Sequence, residues 1–216
     1  MQVKICGITQ VDQAQAIAKL GATALGFICV PESSRFVRPE QIRAIAAALQ
    51  ADAATASVQR IGVFVDRPVD HIRRTVDGAQ LTGIQLHGDE SLQTCRTLKQ
   101  ALPGVTIIKA LRVRSPETLK LASAYADGVD ALLLDAFHPQ SHGGTGQTLD
   151  WRSLRSFHPP CPWFLAGGLK PDNVALALAQ VSPTGIDLSS GVEKSPGDKD
   201  IEQAARLFQA LKAATA

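Results

Sequence analysis

Cys6 and Asp135 are each set at the end of an apolar run, VKIC and LLLD, so two groups able to exchange protons follow segments built for burial. A thiolate can take a proton from an activated carbon or attack an electrophile, and a protonated carboxyl can deliver a proton to a departing oxygen. Each also has a plainer explanation, a buried strand cysteine behaving as a small hydrophobe and an aspartate anchoring the turn that follows. Lys4 lies two residues before Cys6 and alternates to the same face, where its charge would favour a thiolate. Gly7 follows directly and would let a ligand come close to the backbone.

Other run ends carry polar groups of the same kind. Arg35, in SSRFV, has a guanidinium that can clamp a carboxylate with two parallel hydrogen bonds, although exposed arginines mostly serve solvation. His87 closes IQLH, and Asp187 lies in GIDL. The turns AGGLKPDN, with Gly167 and Gly168, and DLSSGVE, with Ser189, Ser190 and Gly191, are suited to offering backbone N–H groups to a phosphate. The GGTG segment, with Gly144 and Gly146, lies in a polar stretch from Phe137 to Leu149 that would add further donors or form a lid.

The elements that must position these groups are eight apolar runs starting near Val3, Ala24, Ile61, Gly83, Thr106, Ala131, Pro162 and Gly185, a spacing of about 26 residues on average. That is one strand, one helix and two loops. The runs IGVFV and ALLLDAF are apolar at both alternating faces, as expected of parallel strands covered on both sides. Between them, Asp12 to Leu20 has helical periodicity and stops at Gly21. Pro39, Pro68, Pro116 and Pro171 are placed to open further helices, and the Ala-rich stretch Ala44 to Ala56 reads as a long helix with a frayed end. The expectation is an α/β fold, a single-domain (β/α)8 barrel spanning residues 1–216, with all strand C-termini at one mouth. The first turn, CGITQ, lacks the glycine fingerprint of a dinucleotide-binding sheet.

Composition narrows the function classes. The 22 basic and 20 acidic residues, net charge +2, are spread along the chain, so no nucleic-acid partner is expected. No apolar run reaches the length of a membrane span, and Met1 runs into VKIC without the features of a secretory signal, so the expected location is cytoplasmic. The four cysteines, Cys6, Cys29, Cys95 and Cys161, form no CxxC pair or zinc spacing, and no metal is expected.

Taken in order, KICGIT, GFICVPESSRFV, IGVFV, IQLHGDE, LLLDAF, GGTGQTLDW, FLAGGLKPDNV and GIDLSSGVE resemble the phosphoribosylanthranilate isomerase family of tryptophan biosynthesis over essentially the whole chain. The resemblance implies an isomerase that carries out an Amadori rearrangement of N-(5-phosphoribosyl)anthranilate to 1-(2-carboxyphenylamino)-1-deoxyribulose 5-phosphate. It implies Cys6 as general base, Asp135 as general acid, Arg35 on the anthranilate carboxylate, and the seventh and eighth loops on the phosphate. No cofactor is implied, the partner is a small phosphorylated substrate, and the chain is expected to act as a monomer or homodimer. Two alternatives stay open at this level. One is another phosphate-binding barrel enzyme, of the sugar-phosphate epimerase or indole-glycerol-phosphate synthase type, for which His87 and Lys109 on the fifth strand are the available groups. The other is a non-catalytic thiol sensor built on Cys6.

Overall fold

The computed structural model describes residues 1–113, 116–136 and 151–215. Eight parallel strands close on themselves: β1 Gln2–Cys6, β2 Ala24–Ile28, β3 Gln59–Phe64, β4 Gly83–Leu86, β5 Thr106–Val113, β6 Ala131–Ala136, β7 Trp163–Leu165 and β8 Gly185–Leu188. The seam is the β8 to β1 pairing, with Val3 opposite Ile186 and Lys4 opposite Asp187. Helices α1 Val11–Leu20, α2 Pro39–Gln50, α3 Val69–Ala79, α4 Leu92–Ala101, α5 Pro116–Tyr125, α6 Val174–Leu178 and α7 Ile201–Thr215 alternate with them. A short antiparallel hairpin, β9 Glu193–Ser195 and β10 Asp198–Lys199, follows β8. Among the described residues no helix is long and apolar enough to cross a membrane.

The two-residue period of each strand sorts side chains into two layers. Ala24, Ile61, Ile108, Ala110, Ala131, Leu133, Phe164 and Ala166 fill the barrel interior. The intervening residues, among them Ile5, Phe27, Phe64, Ile84, Leu132 and Leu134, pack outward against helix residues such as Ile17, Ile45, Ile72, Leu98 and Leu207. This doubled burial explains why the runs read as apolar at successive positions.

Helix α1 stops where expected, at Gly21 with φ of 119°. Two sequence expectations give way to local side-chain chemistry. The Ala-rich stretch is helical only to Gln50, because the Asp52 carboxylate accepts from the Ala54 amide at 3.0 Å and the Thr55 hydroxyl donates to the Leu49 carbonyl at 2.8 Å. These bonds turn the chain in place of another helical turn. Pro171 opens a turn instead of a helix, since the Asn173 side chain accepts from the Lys170 amide at 2.8 Å and donates to the Gly168 carbonyl at 2.9 Å, and α6 begins only at Val174.

Pleat parity also places Lys109. Its strand neighbours Ile108 and Ala110 point into the barrel, so Lys109 points out, where its ammonium donates to Glu90 at 2.8 Å and to the carbonyls of Gly88 and Leu86 at 2.6 and 3.2 Å. Both partners of this ion pair are 2% exposed, and the Tyr125 ring lies 6.0 Å from the ammonium. Lys109 is therefore a strut under the β4–α4 turn and cannot serve as the catalytic lysine of a synthase. Removing one member of a buried pair leaves the other charge uncompensated. Lys109→Ala should therefore lower unfolding free energy by about 3–5 kcal/mol, read from urea denaturation; a change below 1 kcal/mol would contradict the strut.

Candidate active site

A cavity of about 690 Å³ opens at the C-terminal mouth of the barrel. Its lining brings together Cys6 from β1, Arg35 from the loop after β2, His87 just past β4, Asp135 from β6, Gly167 and Gly168 after β7, and Asp187, Ser189, Ser190 and Gly191 at and after β8. Residues separated by more than a hundred positions meet there because all eight strands run the same way. Gly144, Gly146 and the proposed Phe137 to Leu149 lid lie outside the described residues.

Lys4 and Asp187 form the floor. The Lys4 ammonium is fully buried and donates to both Asp187 oxygens at 3.0 Å. Burial opposes this charge, but the facing Asp187 carboxylate and then Cys6 outweigh it and hold the Lys4 pKa above the ordinary lysine value. Gly26 makes the space for this group: a side chain there would place its Cβ 2.6 Å from Cys6 Sγ and 2.9 Å from Lys4 Nζ. Lys4 does favour the Cys6 thiolate, as its position on β1 led us to expect, but burial outweighs it. Burial pushes the thiol up, Lys4 and Lys199 pull it down, and Asp187, which already engages Lys4, pushes it up again, so the net direction is upward.

On the opposite side, the Gln85 amide donates to His87 Nδ1 at 2.7 Å, and His87 Nε2 faces Asp135 Oδ2 at 3.4 Å. In this amide orientation Nδ1 is the acceptor, and Nε2 is the nitrogen turned toward the carboxylate. Asp135 is 6% exposed and takes part in the field that raises Asp187, whose pKa is pushed up first by burial against the opposing pull of Lys4.

The two glycine turns differ in what they require. Gly167 and Gly168 adopt φ of 86° and 64°, conformations that a side chain would strain. At Gly191 a Cβ would fall 1.9 Å from the Leu169 carbonyl oxygen, so the loops after β7 and β8 pack backbone on backbone. Gly7, expected to admit a ligand, instead admits protein: a Cβ there would meet Arg35 Cδ at 2.8 Å and Ser189 Oγ at 3.2 Å.

The sequence reading did not single out Glu193 and Lys199. Arg35 donates to Glu193 through Nε at 3.0 Å and Nη2 at 2.7 Å, and Lys199 donates to Glu193 at 2.7 Å and to the Cys6 carbonyl. Glu193 ends the SSGVE stretch that was read for its serines and glycine, and its local sequence does not mark it as buried.

A closed (β/α)8 barrel whose mouth gathers polar side chains and glycine turns from several strand ends is the architecture of a barrel enzyme acting on a small molecule. Residues 3–210 match the model of the family described as N-(5'phosphoribosyl)anthranilate (PRA) isomerase. The chain is 59% identical over 211 residues to the N-(5'-phosphoribosyl)anthranilate isomerase of Nostoc punctiforme, covering 98% of each protein. It is similar to the crystal structure of phosphoribosyl anthranilate isomerase from Thermotoga maritima, with a TM-score of 0.89, 34% identity and 99% of each chain covered. A further similar structure, with a TM-score of 0.84, 33% identity and 99% of each chain covered, is a phosphoribosyl anthranilate isomerase in complex with reduced 1-(o-carboxyphenylamino)-1-deoxyribulose 5-phosphate. The chain belongs to the phosphoribosylanthranilate isomerase family, and its activity is the isomerisation of phosphoribosylanthranilate in tryptophan biosynthesis.

The upward direction of the Cys6 thiol has a direct readout. In the substrate-free protein, the pH dependence of iodoacetamide labelling at Cys6, followed by peptide mass, should have its midpoint above the ordinary thiol value of about 8.5. Cys29 and Cys95, pushed up by burial to about 12 and about 11, give separate peptides that do not obscure it. A Cys6 midpoint at or below neutrality would overturn the argument from burial.

Proposed function

We propose that Cys6 is the general base and Asp135 the general acid of this isomerisation, with Arg35 on the anthranilate carboxylate and the turns at Gly167–Gly168 and Ser189–Gly191 on the phosphate. The observation that carries the assignment is that Cys6 and Asp135 line one cavity, with both glycine turns and Arg35 on its wall. The substrate is an aminoaldose with an anion at each end, and holding both ends sets the sugar between the two reactive groups. Positioning of this kind supplies at most about 7–11 kcal/mol of barrier reduction.

The chemistry follows from the substrate. Asp135, protonated, gives its proton to the furanose ring oxygen while the anilino nitrogen lone pair forms the C1=N bond and the C1–O bond breaks. The resulting iminium acidifies the hydrogen on C2. Cys6, its thiol proton having passed to solvent, takes that proton as the thiolate, and the C–H electron pair moves toward nitrogen to give a neutral enolamine. Cys6 then returns its proton to C1 and the C2 hydroxyl proton passes to the Asp135 carboxylate, which leaves the ketone and restores both groups. His87 stands beside this carboxyl, with Nε2 3.4 Å from Asp135 Oδ2. The same reading gives the chain one domain over residues 1–216. The same proposal puts the reaction in the cytoplasm, where a charged, phosphorylated metabolite is retained, and has the chain acting as a monomer or homodimer.

The assay is the loss of phosphoribosylanthranilate fluorescence with freshly prepared substrate. Cys6→Ser and Asp135→Asn should each fold, shown by unchanged circular dichroism, and each should lose on the order of 10²- to 10⁴-fold in kcat. Wild-type turnover in either variant would remove that residue from its role. Arg35→Met should weaken binding of the reduced product analogue by tenfold or more, about 1.4 kcal/mol; equal affinity would contradict the clamp.

A further inference from the structure

The loop after β2 and the hairpin after β8 meet in a buried cluster of three charges. Glu193, with its side chain 3% exposed, accepts from Arg35 Nε at 3.0 Å and Nη2 at 2.7 Å, from Lys199 Nζ at 2.7 Å and from the Gly197 amide at 3.2 Å. Lys199, whose side chain is fully buried, also donates to the Cys6 carbonyl and to the Ser189 carbonyl at 3.4 Å. Burial works against the Glu193 charge, and Arg35 and Lys199 overcome it, holding its carboxyl below the usual range.

Two features of this cluster point beyond structural support. Glu193 takes the Nε/Nη2 side of the guanidinium, which fixes the plane of the group and leaves the Nη1/Nη2 end as the edge available for a second carboxylate. The cluster also carries two cations against one anion, since among the described residues Glu193 is the carboxylate ion-paired with both Arg35 and Lys199. One further negative charge, placed against Arg35 at the cavity wall, would balance it.

We propose that Glu193 is a positioning residue for carboxylate recognition: it locks Arg35 side-on so that the free end of the guanidinium receives the substrate's carboxylate. Through Lys199 it ties that clamp to the backbone of Cys6 and Ser189, so the base, the clamp and the second glycine turn share one buried anchor. This proposal rests on the assignment of Arg35 to the substrate carboxylate.

The test measures Kd for two ligands by calorimetry: the reduced product analogue, and its counterpart prepared from aniline, which lacks the ortho carboxylate. Glu193→Gln should weaken the carboxylated ligand by tenfold or more and leave the carboxylate-free ligand within about twofold, since a tenfold change is about 1.4 kcal/mol of lost charge-assisted hydrogen bonding. Equal weakening of both ligands would reduce Glu193 to a structural residue and overturn the proposal, as would unchanged or tighter binding of the carboxylated ligand. If Glu193→Gln fails to fold because Lys199 is left unpaired, Glu193→Gln with Lys199→Met removes both charges, and the ratio of the two affinities reads the same effect. Arg35→Met separates the two layers of the argument. If it preserves discrimination between the ligands, the Arg35 assignment itself fails. If it abolishes discrimination while Glu193→Gln preserves it, only the positioning role fails.

Discussion

Lys4 and Asp187 face each other across the seam where β8 meets β1, and the rest of the mouth is arranged around that contact. Closing a parallel barrel at this point puts two residues nearly two hundred positions apart into register, both pointing inward at the same level. Neither charge could be buried there alone, because desolvation without a partner costs several kcal/mol per ion. The pair therefore holds register at the seam and sets a polar floor on which the cavity stands. Directly above it on β1 is Cys6, and Gly26 on β2 leaves the room that both side chains occupy.

A barrel interior filled with small and branched side chains becomes a reactive site only near the strand C-termini, and this chain shows the transition along single strands. On β6, Ala131 and Leu133 belong to the interior core, and Asp135, the next inward position, lines the cavity. At β7, Phe164 lies in the interior core, and Ala166, just past the strand, belongs both to that core and to the cavity wall. The same two-residue step that packs the barrel thus delivers the functional groups. It also separates Lys109 from the site by a single position, turning a strand lysine in an apolar run into a support between sheet and helices.

Much of this was legible in the sequence because the signal was local. Apolar runs at a regular spacing gave the eight strands, and the polar residue closing each run gave Cys6, His87, Asp135 and the glycine turns. What stayed hidden was the pairing of charges distant in sequence. Arg35 and Glu193 are 158 residues apart, and Lys199 reaches Cys6 across 193. Nothing in the neighbourhood of a glutamate and a lysine in a polar turn distinguishes a buried anchor from a solvated surface. For the same reason the charge of Lys4 was read as acting on Cys6 alone, because its second neighbour, Asp187, enters only when the barrel closes. Local chemistry also overrode periodicity at Asp52 and Asn173, whose side chains satisfy backbone groups that a longer helix would have used.

The upward shift of the Cys6 thiol fits the proposed chemistry once the substrate's own charge is counted. The nearby cations are already engaged, Lys4 by Asp187 and Lys199 by Glu193, and burial pushes the Cys6 thiol up. Ring opening creates an iminium cation next to the carbon whose proton must leave. Opposite charges brought close together in a buried cavity attract more strongly than in water. That attraction works against burial and favours the thiolate, the thiol proton passing to solvent, at the stage where the proposed base acts. When the proton is taken the iminium becomes a neutral enolamine, the attraction ends, and Cys6 is again a thiol. Under this scheme Asp135 must act first, because the cation that activates Cys6 exists only after the ring oxygen has received its proton.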